Sequence, residues 1–234
     1  MMGNEFIKNI KRYCLWLVDA TPQEIFGMPL VKERIKLCKQ DRLNGAPDRQ
    51  KLADSAHLFR ETQNPDIYIA IPKTSSENRF YIPIDWLDKS IIPGDGLRII
   101  PDAKLYHFGI LTSSVHMAWM RLTAGRLKSD YSYSNTLVYN NFIWPSLNEK
   151  QQAKIEATAK GILDVRAKYS ESSFAALYDP LTMPPELLKA HKLNDDAVLE
   201  VYGFSKGAGE EEIVTELMKM YETHAVKELR TKEK

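Results

Sequence analysis

Apolar positions change their spacing three times along the chain. The run YCLWLVDAT, Tyr13 to Thr21, is apolar and unbroken, which predicts a strand closed by Asp19 and Pro22. In TPQEIFGMPLVKERIKLCKQDRL the pattern turns helical: Thr21 can cap, Pro22 suits a first turn, and Leu30, Ile35 and Leu37 supply apolar positions. Met28-Pro29 splits this region in two, because proline lacks a backbone donor and disfavours helix in the residue before it. From Ile67 to Pro101 the spacing shortens to the strand period in IYIAIP, RFYIPIDWL and GLRIIP, separated by polar or Gly/Pro turns. YHFGILTSS reads as a further strand, and VHMAWMRLTAG as a helix stopped by Gly125, so Thr112-Ser113-Ser114 marks a strand-to-helix junction. After Pro145 the runs LNEKQQAKIEATAKGILDVRAKY, PPELLKAHKLNDDAVLEVYG and EEEIVTELMKMYETHAVKEL carry apolar residues three and four apart, which predicts helices. The prediction is an α+β fold: a mixed α/β domain with a short-stranded sheet over residues 1–145, then a C-terminal helical bundle over 146–234.

Composition changes this picture little. Apolar residues make up 44% and charged residues 27% of 234, enough to bury a sizeable core. The net charge of +1 hides an asymmetry. Residues 1–60 hold 11 Lys/Arg against 7 Asp/Glu, whereas residues 146–234 hold 13 against 16, so a basic face towards the amino terminus is available to a polyanion. No run of 18 apolar residues and no signal-peptide pattern occurs, so a cytoplasmic protein with no membrane partner is expected. Cys14 and Cys38 form no CxxC pair and the histidines do not cluster; the expectation is two reduced, buried thiols and no metal site.

Catalytic signatures are missing. Neither GxGxxG nor GxxxxGK[ST] is present, so no glycine-rich turn offers to cradle a nucleotide or methyl donor. Asn64-Pro65-Asp66 begins like the tetrapeptide that holds an adenine amine in DNA methyltransferases, but lacks its second proline and its aromatic and reads as a turn. No nucleophile elbow surrounds any serine. The chain is expected to have no catalytic, cofactor-binding or metal-ligating residues of its own.

One stretch points elsewhere. In GRLKSDYSYSNTLVYNNFIWP, Gly125 to Pro145, Arg126, Lys128 and the hydroxyls of Ser129, Tyr131, Ser132, Tyr133 and Ser134 make a run of phosphate-seeking donors. The competing reading is that Tyr133, Tyr139, Phe142 and Trp144 are core aromatics packing the helical region.

The segment HFGILTSSVHMAWMRLTAGRLKSDYSYSNTLVYNNFIWP resembles the target-recognition region of the MmeI-like, type IIL family. These are single-chain restriction-modification enzymes that methylate adenine in DNA. CLWLVDATPQEI, PLVKERI, KLADSAHLFRE, SSENRFYIPIDWL and ALYDPLTMPPELLKAHKLNDDAVLEVYG resemble it too, from about Phe6 to Tyr221. The resemblance implies a DNA sequence-reading domain followed by a helical bundle, with double-stranded DNA as partner. It also implies a C-terminal piece of a longer enzyme. The partner would be the methyltransferase domain of the same polypeptide or a separate subunit; S-adenosylmethionine, and Mg2+ should the parent cleave DNA, would serve the missing domains. A separate specificity subunit and a protein-interaction module remain as alternatives.

Roles follow from what DNA reading requires: side chains against base edges, and cations and hydroxyls that fix register on phosphates. In the family, base readers lie around the junction, which the resemblance maps onto Thr112, Ser114 and His116. Glu77 and Arg79 in SSENR are a second base-reading pair, the first an acceptor for cytosine and the second a donor to guanine. Arg126, Lys128, Ser129, Tyr131, Lys51 and Arg60 are the phosphate candidates. Helix capping by Thr112 and Ser114, a core role for His116 and a solvated turn at Glu77 and Arg79 compete with these assignments.

Overall fold

In the computed structural model, which describes residues 1–232 and side chains as far as residue 225, strand β1 (Ile67–Pro72) is the centre of the sheet. It lies antiparallel between β3 (Asp85–Asp88) and β4 (Leu97–Pro101), with Ile69 opposite Trp86 on one side and Ile100 on the other. Tyr68, Ile69, Ala70 and Ile71 have no exposed surface, and the period of two divides them between two cores. Tyr68 and Ala70 pack with Phe6 and Ile7 of α1 (Gly3–Lys8), whereas Ile69 and Ile71 join the main core. A continuous apolar strand results because both faces are covered.

A second small sheet, in the order β2 (Thr74–Ser75), β6 (Asp130–Ser132), β5 (Gly125–Leu127), adjoins the first at Lys73. Its amide donates to Gly96 and its carbonyl accepts from Tyr133, at 2.9 and 2.7 Å. Helices α5 (Leu105–Leu111), α6 (Ser114–Thr123), α7 (Glu149–Ala167), α9 (Pro185–Tyr202) and α10 (Glu210–Lys232) pack around the main core, with the short α8 (Phe174–Leu177) against α1. The expected helices after Pro145 are therefore present, and they share one core with the sheet. Gly203, in the left-handed region at φ 80°, closes α9 as a glycine can without strain.

Two close contacts set the arrangement. A Cβ on Gly109 would lie 2.6 Å from Ile155 Cγ2, so only glycine lets α5 approach α7 this closely. Buried Asn194 of α9 donates to the Gly109 carbonyl at 2.7 Å and accepts from Thr158 at 3.0 Å, which joins three helices through one amide. Arg166 is buried as well; it donates to the Ile84 carbonyl, pairs with Asp85 at 2.8 Å and lies over the Phe174 ring.

Residues 12–64 form a separate compact unit. It holds α2 (Pro22–Gly27), capped reciprocally by Thr21 and Glu24, then α3 (Pro29–Leu43) and α4 (Pro47–Gln50), with the break at Met28-Pro29 as expected. Arg42 organises the segment that follows by donating to the carbonyls of Leu52, Ser55 and Leu58.

Three local expectations need correction. Tyr13–Val18 is not a strand: Tyr13 is 89% exposed, and among the described residues no strand pairs with this segment. Residues 105–111 are helix rather than strand, because Gly109 allows tight helix packing that outweighs the aromatic, β-branched local preference. Cys14 is exposed instead of buried; both cysteines are free.

Candidate nucleic-acid interface

The junction predicted to carry the base readers is a helix-to-helix turn with its polar groups directed inward. Thr112, at the end of α5, is fully buried and its hydroxyl donates to the Phe108 carbonyl at 2.8 Å. The residue that caps α6 is Ser113, whose Oγ accepts from the His116 amide and donates to the Ile110 carbonyl. The Ser114 amide donates to Asp195 Oδ1 at 2.6 Å, and its own hydroxyl is buried. His116 has no exposed surface; its Nε2 lies 3.0 Å from the Tyr133 hydroxyl and its ring meets Phe142 edge-on. Burial pulls its pKa down to about 3, so the ring is neutral. Thr112, Ser114 and His116 are thus corrected: alternation would place them on one face of a strand, but in a helical turn Thr112 and His116 are sealed in the core and half-buried Ser114 turns its hydroxyl inward.

The surface-facing candidates gather on the small sheet. β5 and β6 form a hairpin in which Gly125 faces Ser132, Arg126 faces Tyr131 and Leu127 faces Asp130. Lys128 turns the chain in the left-handed region at φ 57°, an unfavourable conformation for a side chain by roughly 1–2 kcal/mol, and projects with Ser129 into solvent. The Arg126 guanidinium stacks over the Tyr131 ring at 3.8 Å, donates to the Ser129 carbonyl at 2.8 Å and stands 3.6 Å from Glu77 Oε2. Tyr131, covered in this way, is only 7% exposed, so it acts as the floor of the cluster rather than as a phosphate donor. Glu77 follows the edge strand β2 and reaches across β6 towards β5.

Arg79 departs from its expected role. It is half-buried, donates weakly to Ser75 Oγ at 3.3 Å, and its Nε is buried without a partner. Burial lowers its pKa, and the carboxylates of Asp130 and Asp179 oppose that. Lys51 and Arg60 belong to the 12–64 unit; both are exposed, and Arg60 makes a long ion pair with Asp48 at 3.4 Å. The aromatics Tyr133 and Phe142 are core, Trp144 packs on Phe142, and Trp119 donates to the Val138 carbonyl. Asn141 closes the π-helical turn Asn135–Tyr139 by donating to Thr136 and Leu137.

Sequence reasoning missed Asp195. This carboxylate sits in α9, only 8% exposed, and accepts from Tyr81 Oη and the Ser114 amide. The available signal was Asn194-Asp195 interrupting the apolar stripe between Leu187 and Val198. Among the described residues no group of three or more His, Cys, Asp and Glu is placed to hold a metal ion, and no helix is long and apolar enough to cross a membrane.

The comparisons with known proteins agree with this architecture. Residues 1–146 match the MmeI target recognition domain and residues 147–229 the MmeI C-terminal domain. The chain belongs to this family. It is 40% identical over 220 residues to DNA methyltransferase A of Bacillus subtilis (strain 168), across 93% of this chain and 25% of that protein. It is also similar to the solved type IIL restriction-modification enzyme MmeI in complex with DNA, with a TM-score of 0.94, 44% identity, and coverage of 97% of this chain and 30% of the other. The chain therefore spans a quarter to a third of the length of these relatives.

Proposed function

We propose that this chain reads sequence in double-stranded DNA for a restriction-modification enzyme that methylates adenine, and that it works beside a methyltransferase supplied elsewhere in the same polypeptide or by another subunit. The observation that carries the reading is the match of both MmeI domains along nearly the whole chain, together with 44% identity to an enzyme solved with DNA. The geometry supports it: a two-stranded ribbon can enter the major groove, and the β5–β6 hairpin offers Arg126, Lys128 and Ser129 at its exposed end with Glu77 beside them. In this reading the chain binds no cofactor; S-adenosylmethionine, and Mg2+ for any cleavage, serve other domains. Its compartment is the cytoplasm, where the DNA is.

Fluorescence anisotropy of a labelled duplex titrated with the chain at rising salt tests the proposal. Binding should be weak and fall steeply with salt, because each neutralised phosphate contributes a slope of about −0.9 in log K against log salt. Absence of binding at low ionic strength would overturn it.

A second role is favoured by a separate observation. The 12–64 unit leaves Tyr13, Phe26, Leu30 and Leu37 more than half exposed while burying only Ala53 and Ala56 among its apolar side chains. Such a surface suits docking onto a methyltransferase, in which case this unit is an interaction module beside the reader.

A further inference from the structure

The side chains that meet over Tyr131 assign Arg126 a sharper role than that of a phosphate contact. Its guanidinium is held from three directions: by the ring beneath it at 3.8 Å, by the Ser129 carbonyl at 2.8 Å, and by Glu77 Oε2 at 3.6 Å. Both polar contacts fall on Nη1. The edge formed by Nη2 and Nε makes no hydrogen bond among the described residues, although the side chain is only 45% exposed. A lone surface arginine samples many rotamers; this one is stacked on a ring with one donor occupied, which leaves the two parallel N–H groups of the Nη2–Nε edge without a partner among the described residues. That fork matches the O6 and N7 acceptors of guanine in the major groove.

We propose that Arg126 is a specificity-determining residue that donates bidentately to a guanine, with Glu77 and Tyr131 as its positioning residues. The inference rests on the DNA-reading function proposed above. Glu77 has two effects in it. Its carboxylate orients the fork, and its negative charge opposes capture of Arg126 by the phosphates of any passing duplex, so discrimination rises as non-specific affinity falls. Phosphate contacts remain with neighbouring cations such as Lys128, whose position at the turn leaves it free to track the backbone.

The test selects bound duplexes from a pool randomised across a short window, at low ionic strength, using the native chain, Arg126→Lys, Arg126→Ala and Glu77→Gln, each checked for an unchanged melting temperature. The native chain should enrich a guanine at one position. Arg126→Lys should keep overall affinity within about 3-fold and lose about 10-fold of the preference at that position alone, since lysine retains the charge without the planar fork. Glu77→Gln should blur the same position and tighten binding to random duplex several-fold. If Arg126→Ala instead weakens every sequence equally and lowers the salt slope by about one phosphate contact, the residue is a backbone contact and the proposal is wrong. If Glu77→Gln shifts preference at a position that Arg126→Lys leaves alone, Glu77 is an independent reader and its positioning role is wrong. A native chain that binds duplex but enriches no sequence overturns the reading function and this inference together. Enrichment by the native chain that Arg126 variants leave intact overturns only the latter.

Discussion

Tyr81 and Asp195, 114 residues apart in sequence, share a 2.6 Å hydrogen bond in the interior. The same carboxylate accepts from the Ser114 amide, so one side chain of α9 fastens both the loop after Glu77 and the first turn of α6. A carboxylate facing the N-terminus of α6 also complements that helix's dipole. The segment that follows α6 carries Arg126, so Asp195 links the C-terminal helices to the surface proposed to read DNA.

Acid response follows from the buried titrating groups. Burial raises the Asp195 carboxyl to about 6, so the folded chain holds this proton more tightly than the unfolded one. Its contribution to stability is present below about pH 4 and lost as pH rises through about 6, of the order of 3 kcal/mol. His116 and His191 work in the opposite sense. Burial lowers both to about 3, so their contribution is present above about pH 6.5 and is lost as pH falls. The two histidines outweigh Asp195 together with Asp85, whose carboxyl burial raises as well, and the melting temperature should decline from pH 6 to pH 4. Asp195→Asn removes one offsetting group; its decline over that interval should be steeper than the native chain's. An unchanged slope would mean that Asp195 ionises normally in the fold.

Changes at the α5–α6 junction should alter stability and leave sequence choice alone. Thr112→Asp puts a charge where the native hydroxyl is sealed against the Phe108 carbonyl, and a cost of several kcal/mol is expected. His116→Phe is gentler: it leaves the Tyr133 hydroxyl without its partner, at about 1–3 kcal/mol. Thermal unfolding gives the cost, and duplex selection with the folded His116→Phe chain should recover the native preference. A changed preference would make this junction a reader after all.

Gly109→Ala tests the packing of α5 on α7. The added methyl would sit 2.6 Å from Ile155 Cγ2 and 3.1 Å from Asn194 Oδ1, so the helices must separate. Overpacking of this kind costs about 1–3 kcal/mol. Chemical denaturation should show a lowered midpoint, and Ile155→Ala in the same chain should recover less than the whole loss because it opens a cavity of its own.

These contacts explain how far the fold was legible. β1 was readable because burial on both faces writes an unbroken apolar run, β4 because Leu97, Ile99 and Ile100 lie between Gly/Pro turn signals, and α7, α9 and α10 because their stripes repeat at helical spacing. Residues 105–111 misled because the glycine that makes the helix possible acts through Ile155, a residue far along the chain. The β5–β6 hairpin was not predicted as strands at all, since Lys128-Ser129 lacks the glycine or asparagine that usually marks a tight turn. Of the residues singled out for their chemistry, Arg126 meets Ser129 and Glu77 on the surface and Lys128 is exposed at the turn between them in sequence, whereas Thr112 and His116 are buried and Ser114 turns its hydroxyl inward. Residue type marks what a side chain can do, but exposure depends on tertiary packing, and the buried partners Asp195 and Asn194 lie about 80 residues away.

The most direct measurement of the central claim is a transplant. Residues 1–229 would replace the corresponding quarter of DNA methyltransferase A, and the methylated sites in a digested plasmid would be mapped for parent and chimera. If this chain carries the choice of sequence, the chimera should methylate a sequence different from the parent's, and Arg126→Lys within it should relax one guanine position. A chimera that methylates the parent's sequence would contradict the account, because recognition would then lie outside the transplanted residues.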